Sequence, residues 1–312
     1  MFKYLRRILF KYLDKLILKW DSHRAKLERG PLDSKEKLSS YLASRDKEWG
    51  LPHHRGLCMG EFKDISYFMG VDSQKLIDGV IIQHGAWELE TLMMLDAALV
   101  ARPGAAFVEV GSNIGAIAIP LALRHPGSPF VCIDPHPAMC QQLKDNAAFN
   151  NISNIELVQK AVTAQGGQYL DFYAESESST NPGLSSLVPT ALRESAEAIK
   201  VETINFDDFY EASARGPVGV IKIDVQGVEL SVLEACARTI ARHRPVVLFE
   251  FEGFHYPDMA AAETNFRAIL EFFEARQYRL FSHDGTLGTR FLTEVKLNPH
   301  LTTNILAMPQ AR

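Results

Sequence analysis

The chain has 312 residues, 46% hydrophobic and 23% charged, which excludes a disordered, collagen-like or disulfide-scaffold protein and leaves ample material for a core. The formal net charge of −5 combines two unlike parts: residues 1–50 carry 13 Lys/Arg against 7 Asp/Glu, and the other 262 carry 20 against 31. A basic front end of +6 precedes an acidic body of −11, and each needs its own explanation.

Residues 1–20, MFKYLRRILFKYLDKLILKW, hold no uninterrupted apolar run and no small-residue cleavage site, so neither a signal peptide nor a transmembrane helix is expected. On a helical wheel Phe2, Leu5, Leu9, Leu13, Leu16 and Trp20 share one narrow face, and Lys3, Arg7, Lys11 and Lys15 gather elsewhere. This pattern predicts a basic amphipathic helix. Two readings stay open: peripheral contact with anionic lipid at the inner face of a membrane, or docking on the acidic body or a partner chain. Residues 21–84 read as a linker and helical extension, punctuated by Gly30-Pro31 and Leu51-Pro52, with apolar periodicity returning from Asp72. His53-His54 lacks a second ligand cluster and reads as loop. Cys58, Cys132, Cys140 and Cys236 form no CxxC pair; they read as structural thiols and predict a reducing, cytoplasmic setting.

From residue 85 the pattern is regular. A helix runs from Trp87 to about Leu99, followed by a strand over 106–110, a glycine turn and a helix to about Arg124. A strand over 130–133, a helix over 138–150 and short strands at 155–158 and 160–162 follow. Further strands are expected over 218–223 and 246–251, separated by a helix over 229–242. A helix over 260–276 leads to closing strands at 278–282 and 303–308. Strand–helix alternation with short connections predicts an α/β, doubly wound, mostly parallel sheet. The Ser-rich stretch 175–197 reads as a mobile loop over that sheet.

Ligands of such sheets bind outside the carboxyl ends of the strands, where strand order reverses. The first strand ends in Glu109-Val-Gly111-Ser112-Asn113-Ile-Gly115, and the second in Asp134-Pro135. The glycines permit a tight turn and close approach of a ligand, and Asp134 is spaced to accept hydrogen bonds from a ribose diol. The spacing is GxxxG, not the GxGxxG that seats a pyrophosphate, and an acid at 109 repels phosphate. A cationic nucleoside such as S-adenosylmethionine (SAM) fits better than a dinucleotide.

These residues resemble the FkbM-type family of SAM-dependent methyltransferases. Phe107 to Gly115 is similar to the family's DVGANIG, and Ile133-Asp134-Pro135 to its F-E-P with the acid shortened. Lys160-Ala161-Val162, Gly183-Leu-Ser185-Ser186-Leu187 and the segment 201–209 resemble further signatures. So do Ile221-Lys222-Ile-Asp224-Val-Gln-Gly227-Val-Glu229, with Gln226 in place of the usual Glu, and Arg244-Pro245 to Glu250. The resemblance implies a class I (Rossmann-like) methyltransferase domain over 85–312 with an antiparallel C-terminal strand. It implies SAM as cofactor, held by Glu109, Gly111, Ser112, Asn113, Gly115, Asp134, Pro135 and Ala161. It also implies O-methylation of a hydroxyl on a sugar, glycolipid or secondary metabolite.

Methyl transfer to oxygen needs alignment and a proton acceptor. Asp224, at the end of the fourth core strand, is the first candidate base, with Lys222 two residues before it on the same strand face. Glu250 and His255 are the others. Glu229 opens the next helix, where the helix dipole also accounts for an acid. Ser185 and Ser186 are expected to close over the ligand. No metal is expected, since the spacing of Asp224, Glu250 and His255 is not distinctive. Rival readings are a nicotinamide oxidoreductase, which lacks its GxGxxG here, and a non-catalytic membrane-recruited binding protein. A nucleic-acid partner is disfavoured by the acidic body and by Asp-Val-Gln-Gly where such enzymes carry N/D-P-P-Y/F.

Overall fold

The computed structural model describes residues 55–176, 179–189, 196–213, 215–283, 289–291 and 302–310; the basic segment 1–20 and His53-His54 lie outside them. The described chain opens with an antiparallel hairpin, β1 (Arg55–Phe62) and β2 (Ile65–Asp72), where a linker and helix were expected. Its inward residues Phe62, Tyr67, Met69 and Val71 are buried and explain the difference: an alternating pattern of short range was masked by the polar residues around it. Helices α1 (Leu76–His84) and α2 (Leu89–Val100) follow.

The next elements are β3 (Ala106–Val110), α3 (Ala118–Arg124), β4 (Phe130–Ile133), α4 (Pro137–Phe149) and β5 (Ile155–Val158), close to their predicted bounds. Three short strands, β6 (Ala161–Val162), β7 (Tyr169–Ala174) and β8 (Glu197–Ile204), form a small separate sheet in the order β6-β8-β7. After α5 (Phe206–Glu211) and β9 (Val218–Ile223), the single helix expected over 229–242 is two, α6 (Glu229–Ala235) and α7 (Ala237–His243). The break is at Cys236, whose φ of −104° and ψ of 7° leave the helical region. The chain closes with β10 (Val246–Glu252), α8 (Met259–Glu274), β11 (Tyr278–His283), β12 (Thr289–Phe291) and β13 (Thr302–Pro309).

The main sheet has the order β12-β11-β13-β10-β9-β3-β4-β5. Strands β10 through β5 are parallel, and β13 runs antiparallel to both its neighbours, as expected for the doubly wound fold. From β3 the chain winds outward through β4 and β5, then returns to β9 on the other side, so strand order reverses between β3 and β9.

Period-2 alternation sorts the strand residues onto two cores. Val108, Val110, Val131, Ile133, Ile221, Ile223, Phe249 and Phe251 pack beneath α5 to α8, against Phe206, Leu233, Ile240, Phe266 and Phe273. Phe107, Phe130, Cys132, Val220 and Leu248 pack on the other face, with α2, α3, α4 and the hairpin. Tyr67 and Met69 share that core with Leu92, Leu95 and Leu143, so a boundary at residue 85 would cut through one packed unit. Asn146 of α4 and Asn150, which caps its carboxyl end, fasten the hairpin edge. Gly70 N–H donates to Asn146 Oδ1 and Phe68 N–H to Asn150 Oδ1, each at 2.7 Å.

Candidate active site

The alternation that buries Phe107, Val220 and Leu248 also puts Glu109, Lys222 and Glu250 on that same face, at the carboxyl ends of β3, β9 and β10. Glu109 and Lys222 are register partners on adjacent strands, and Glu109 Oε1 lies 3.7 Å from Lys222 Nζ. Lys222 Nζ donates to Asp224 Oδ2 at 3.0 Å, and Gln226 Nε2 donates to Asp224 Oδ1 at 2.7 Å. Glu250 also hydrogen-bonds to Asp224. Glu88, at the N-cap of α2, completes the group, close enough to feel the charges of Lys222 and Asp224.

One lysine thus serves four carboxyl groups, and they cannot all ionise. Burial and then the negative charges of Asp224 and Glu252 push Glu250 well above the usual carboxylate range. Burial likewise raises Glu109, to about 8, and raises Glu88. Burial also works to raise Asp224, but the Lys222 charge and the hydrogen bonds from Lys222 and Gln226 outweigh it and hold Asp224 low. Lys222 stays charged chiefly because the ionised Asp224, through its charge and its hydrogen bond, overcomes the desolvation of the ammonium.

The turn after β3 is built on left-handed backbone. Gly111, Asn113 and Gly115 have φ of +85°, +46° and +81°. A Cβ on Gly111 would sit 1.8 Å from the Asp224 carbonyl oxygen, so only glycine lets β3 and β9 approach this closely at the switch point. The N–H groups of 111 and 112 donate to Ile133 O, and that of 115 to Ser112 O. The N–H of Asn113 donates to Asp134 Oδ2 at 2.8 Å, and that of Ile114 to Asn113 Oδ1 at 2.8 Å. Every amide of this turn is engaged by protein, leaving none to cradle a phosphate, in accord with the missing GxGxxG.

Asp134 sits at the tip of β4, buried, its other oxygen accepting from His136 N–H at 2.8 Å. Burial raises it against those two backbone hydrogen bonds. Pro135 follows it half-buried, and Ala161 lies buried at the start of β6, just beyond the end of β5. These residues lie on the β4 side of the Gly111 turn, and the Lys222 cluster lies on its β9 side.

The remaining candidates border this cluster through other partners. Glu229 is buried with both oxygens engaged: Oε1 accepts from Gly227 N–H and Oε2 from Tyr256 O–H, each at 2.8 Å. His255 is 1% exposed, packs under Gly227 and pairs through Nε2 with Glu252 Oε2 at 2.6 Å. Both therefore have clear packing tasks. Ser185 Oγ donates to Pro182 O at 2.8 Å and accepts from Glu175 N–H at 2.9 Å. Ser186 Oγ donates to Gln226 O at 2.7 Å, tying the 182–188 segment to the turn after β9. Among the described residues no group of three or more His, Cys, Asp or Glu is placed to hold a metal ion, and no helix is long and apolar enough to cross a membrane. All four cysteines are free thiols, three of them buried.

Sequence reasoning passed over Glu88, reading it only as the start of a helix. Its one signal was an acid at a helix start that faces the sheet.

Strand order, strand direction and the reversal point together define a class I methyltransferase fold. The family described as Methyltransferase FkbM domain matches residues 109–280, more than half of the chain, and the chain belongs to that family. The chain is similar in structure to the FkbM methyltransferase of Methylobacillus flagellatus, at 17% identity and a TM-score of 0.40, over 65% of this chain and 43% of that one. It is also similar to the O-methyltransferase TomG of Streptomyces achromogenes, involved in tomaymycin synthesis and solved with SAM. Identity there is 13% and the TM-score 0.45, over 90% and 92% of the two chains. An O-methyltransferase of Bacillus cereus in complex with SAH gives 14% and 0.43, over 89% and 93%. The family match, not these distant likenesses, carries the assignment. No curated protein matches the sequence.

Proposed function

We propose that the protein transfers the methyl group of SAM to a hydroxyl of a small molecule or glycan: a sugar, glycolipid or secondary metabolite. The observation that carries this reading is the pair of unlike acceptor sites flanking the Gly111 turn. Asp134 on one side suits a ribose diol, and the carboxyl cluster on the other suits a cation. The fit is supported by three buried side-chain atoms without a hydrogen-bond partner, Glu88 Oε2, Glu109 Oε2 and Ser112 Oγ. They are the ones found among the described residues, and they belong to the Gly111 turn and the carboxyl cluster beside it, where a ligand rich in donors would satisfy them.

When bound, SAM supplies a sulfonium methyl open to in-line attack. The chain's own part is positioning and proton handling. Asp134 and the Gly111 turn hold the nucleoside end. Asp224, kept ionised by Lys222, is the proton acceptor for the hydroxyl. A carboxylate of low basicity suffices, since the oxygen becomes strongly acidic as its bond to the methyl forms. Glu250, kept neutral, hydrogen-bonds to Asp224 and fixes its orientation. Residues 1–20 are proposed to bring the domain to an anionic membrane surface, which would favour a lipid-linked acceptor.

The test is transfer of label from methyl-labelled SAM to a panel of hydroxylated sugars and glycolipids. Transfer to oxygen that falls about 100-fold or more in Asp224→Asn supports the reading. Transfer to nitrogen or carbon, or unchanged turnover in Asp224→Asn, contradicts it. For the basic segment, equal sedimentation of the whole chain and of a form lacking residues 1–20 with anionic vesicles removes the membrane role.

A further inference from the structure

The family match begins at residue 109, yet one of the three unpartnered buried acceptors, Glu88 Oε2, lies before it. Glu88 is held in an unusual way. It takes left-handed backbone, φ 42° and ψ 59°, at the residue that precedes α2. That conformation is costly for a residue with a long side chain, and neither a side-chain cap nor a turn glycine accounts for it. Its carboxyl group lies near enough to Lys222 to be attracted by it and to Asp224 and Glu252 to be repelled, and it hydrogen-bonds to the Thr91 side chain while Oε2 stays unmatched.

The neighbouring orphans complete the picture. Glu109 is 1% exposed and Ser112 3% exposed, and each leaves one oxygen unmatched. Lys222, whose partners are Asp224 and Glu109, leaves Glu88 Oε2 without a hydrogen bond. Two carboxyl oxygens beside Lys222, with an unmatched hydroxyl in the Gly111 turn itself, call for a small cation with several N–H donors. A sulfonium centre carries charge but no N–H, so it cannot be the group that satisfies them. The amino-acid end of an S-adenosyl ligand carries an ammonium, which has three N–H donors. With the nucleoside on Asp134, an extended ligand crossing the tips of β4, β3 and β9 brings that end to this cluster.

Resting on the SAM reading above, we propose that Glu88, from outside the segment that defines the family, seats the α-ammonium of the bound S-adenosyl ligand together with Glu109. The left-handed residue at the start of α2 is then a binding device contributed by the chain just before the matched segment. Ligand selectivity would depend on the packing of α2 against the sheet.

The experiment is calorimetric titration of the full chain with S-adenosylhomocysteine and with its deamino analogue, 5′-(3-carboxypropylthio)-5′-deoxyadenosine, which lacks only the amino group. Wild-type protein is expected to bind S-adenosylhomocysteine about 10- to 100-fold more tightly than the analogue, the range of a charge-assisted hydrogen bond. Glu88→Gln is expected to lose most of that preference while binding the analogue as wild type does. Glu88→Asn, whose side chain suits left-handed backbone, should behave alike. Equal wild-type affinity for the two ligands overturns the inference whatever the variants do. So does a Glu88→Gln variant that keeps the preference, or one that weakens both ligands equally. Failure of wild type to bind either ligand counts instead against the SAM reading itself.

Discussion

Replacing Glu109 by Gln should make the folded protein more stable at alkaline pH while weakening its ligand site. Glu109 is 1% exposed, and burial raises it from 4.5 to about 8. The folded chain therefore holds this proton more tightly than the unfolded chain. Between those two values the folded state binds more protons, so wild-type stability falls as pH rises through the window and levels off above about 8. Each tenfold change in proton affinity is worth about 1.4 kcal/mol, which sets an upper bound of about 5 kcal/mol. Neighbouring carboxyl groups that titrate with it reduce this to about 2–4 kcal/mol. Gln is close in shape to the neutral acid and does not titrate. Urea denaturation of both proteins at about pH 5, 7 and 9 should show midpoints that nearly coincide at the lowest pH and diverge in favour of Glu109→Gln as pH rises. A constant offset across the range would refute the assignment of Glu109 as a neutral buried acid. The same variant should bind S-adenosylhomocysteine more weakly, because the ammonium loses an ionisable acceptor.

Three further substitutions probe the frame around the site. Gly111→Ala forces a Cβ to 1.8 Å from the Asp224 carbonyl at a φ of +85°, so a melting temperature lower by about 10 °C or more is expected, with binding lost. A variant that melts like wild type would show that β3 and β9 are not so close. Ser186→Ala removes the hydroxyl that accepts from Val188 N–H and donates to the Gln226 carbonyl, and should cost about 1–3 kcal/mol in urea and weaken ligand binding through the Asp224 turn. If affinity is untouched, the 182–188 segment does not act on the site. Asn146→Ala removes the bonds to Gly70 N–H and Ile114 O, and should speed hydrogen exchange of Gly70 at least about tenfold, with little change in β9. Uniform change across the chain would mean that the hairpin has no local anchor there.

The parallel sheet was legible because its central strands are short, mainly apolar runs bounded by glycine or Asp-Pro, as at 106–110 and 130–133. Charged residues inside such runs, Glu109 and Lys222, were legible as candidates for the same reason. The hairpin at 55–72 was not, since it buries one face only and its outer residues, Leu57, Met59 and Phe68, are exposed apolar side chains that blur the alternation. The small sheet of β6, β7 and β8 escaped because β7 is half exposed and its partner β8 lies more than twenty residues further on. The pairing of Glu109 with Lys222 depends on strand register, which local sequence does not encode. Glu88 reaches the site through the docking of α2, a tertiary effect. Glu229 and His255 were singled out by residue type, and their partners Gly227, Tyr256 and Glu252 became visible only in three dimensions.

The most direct test of the account is calorimetric titration of the full chain with SAM, S-adenosylhomocysteine and NAD. Both S-adenosyl ligands are expected to bind and NAD is not, and Asp134→Ala is expected to lose the former. Binding of NAD without SAM would contradict the SAM reading.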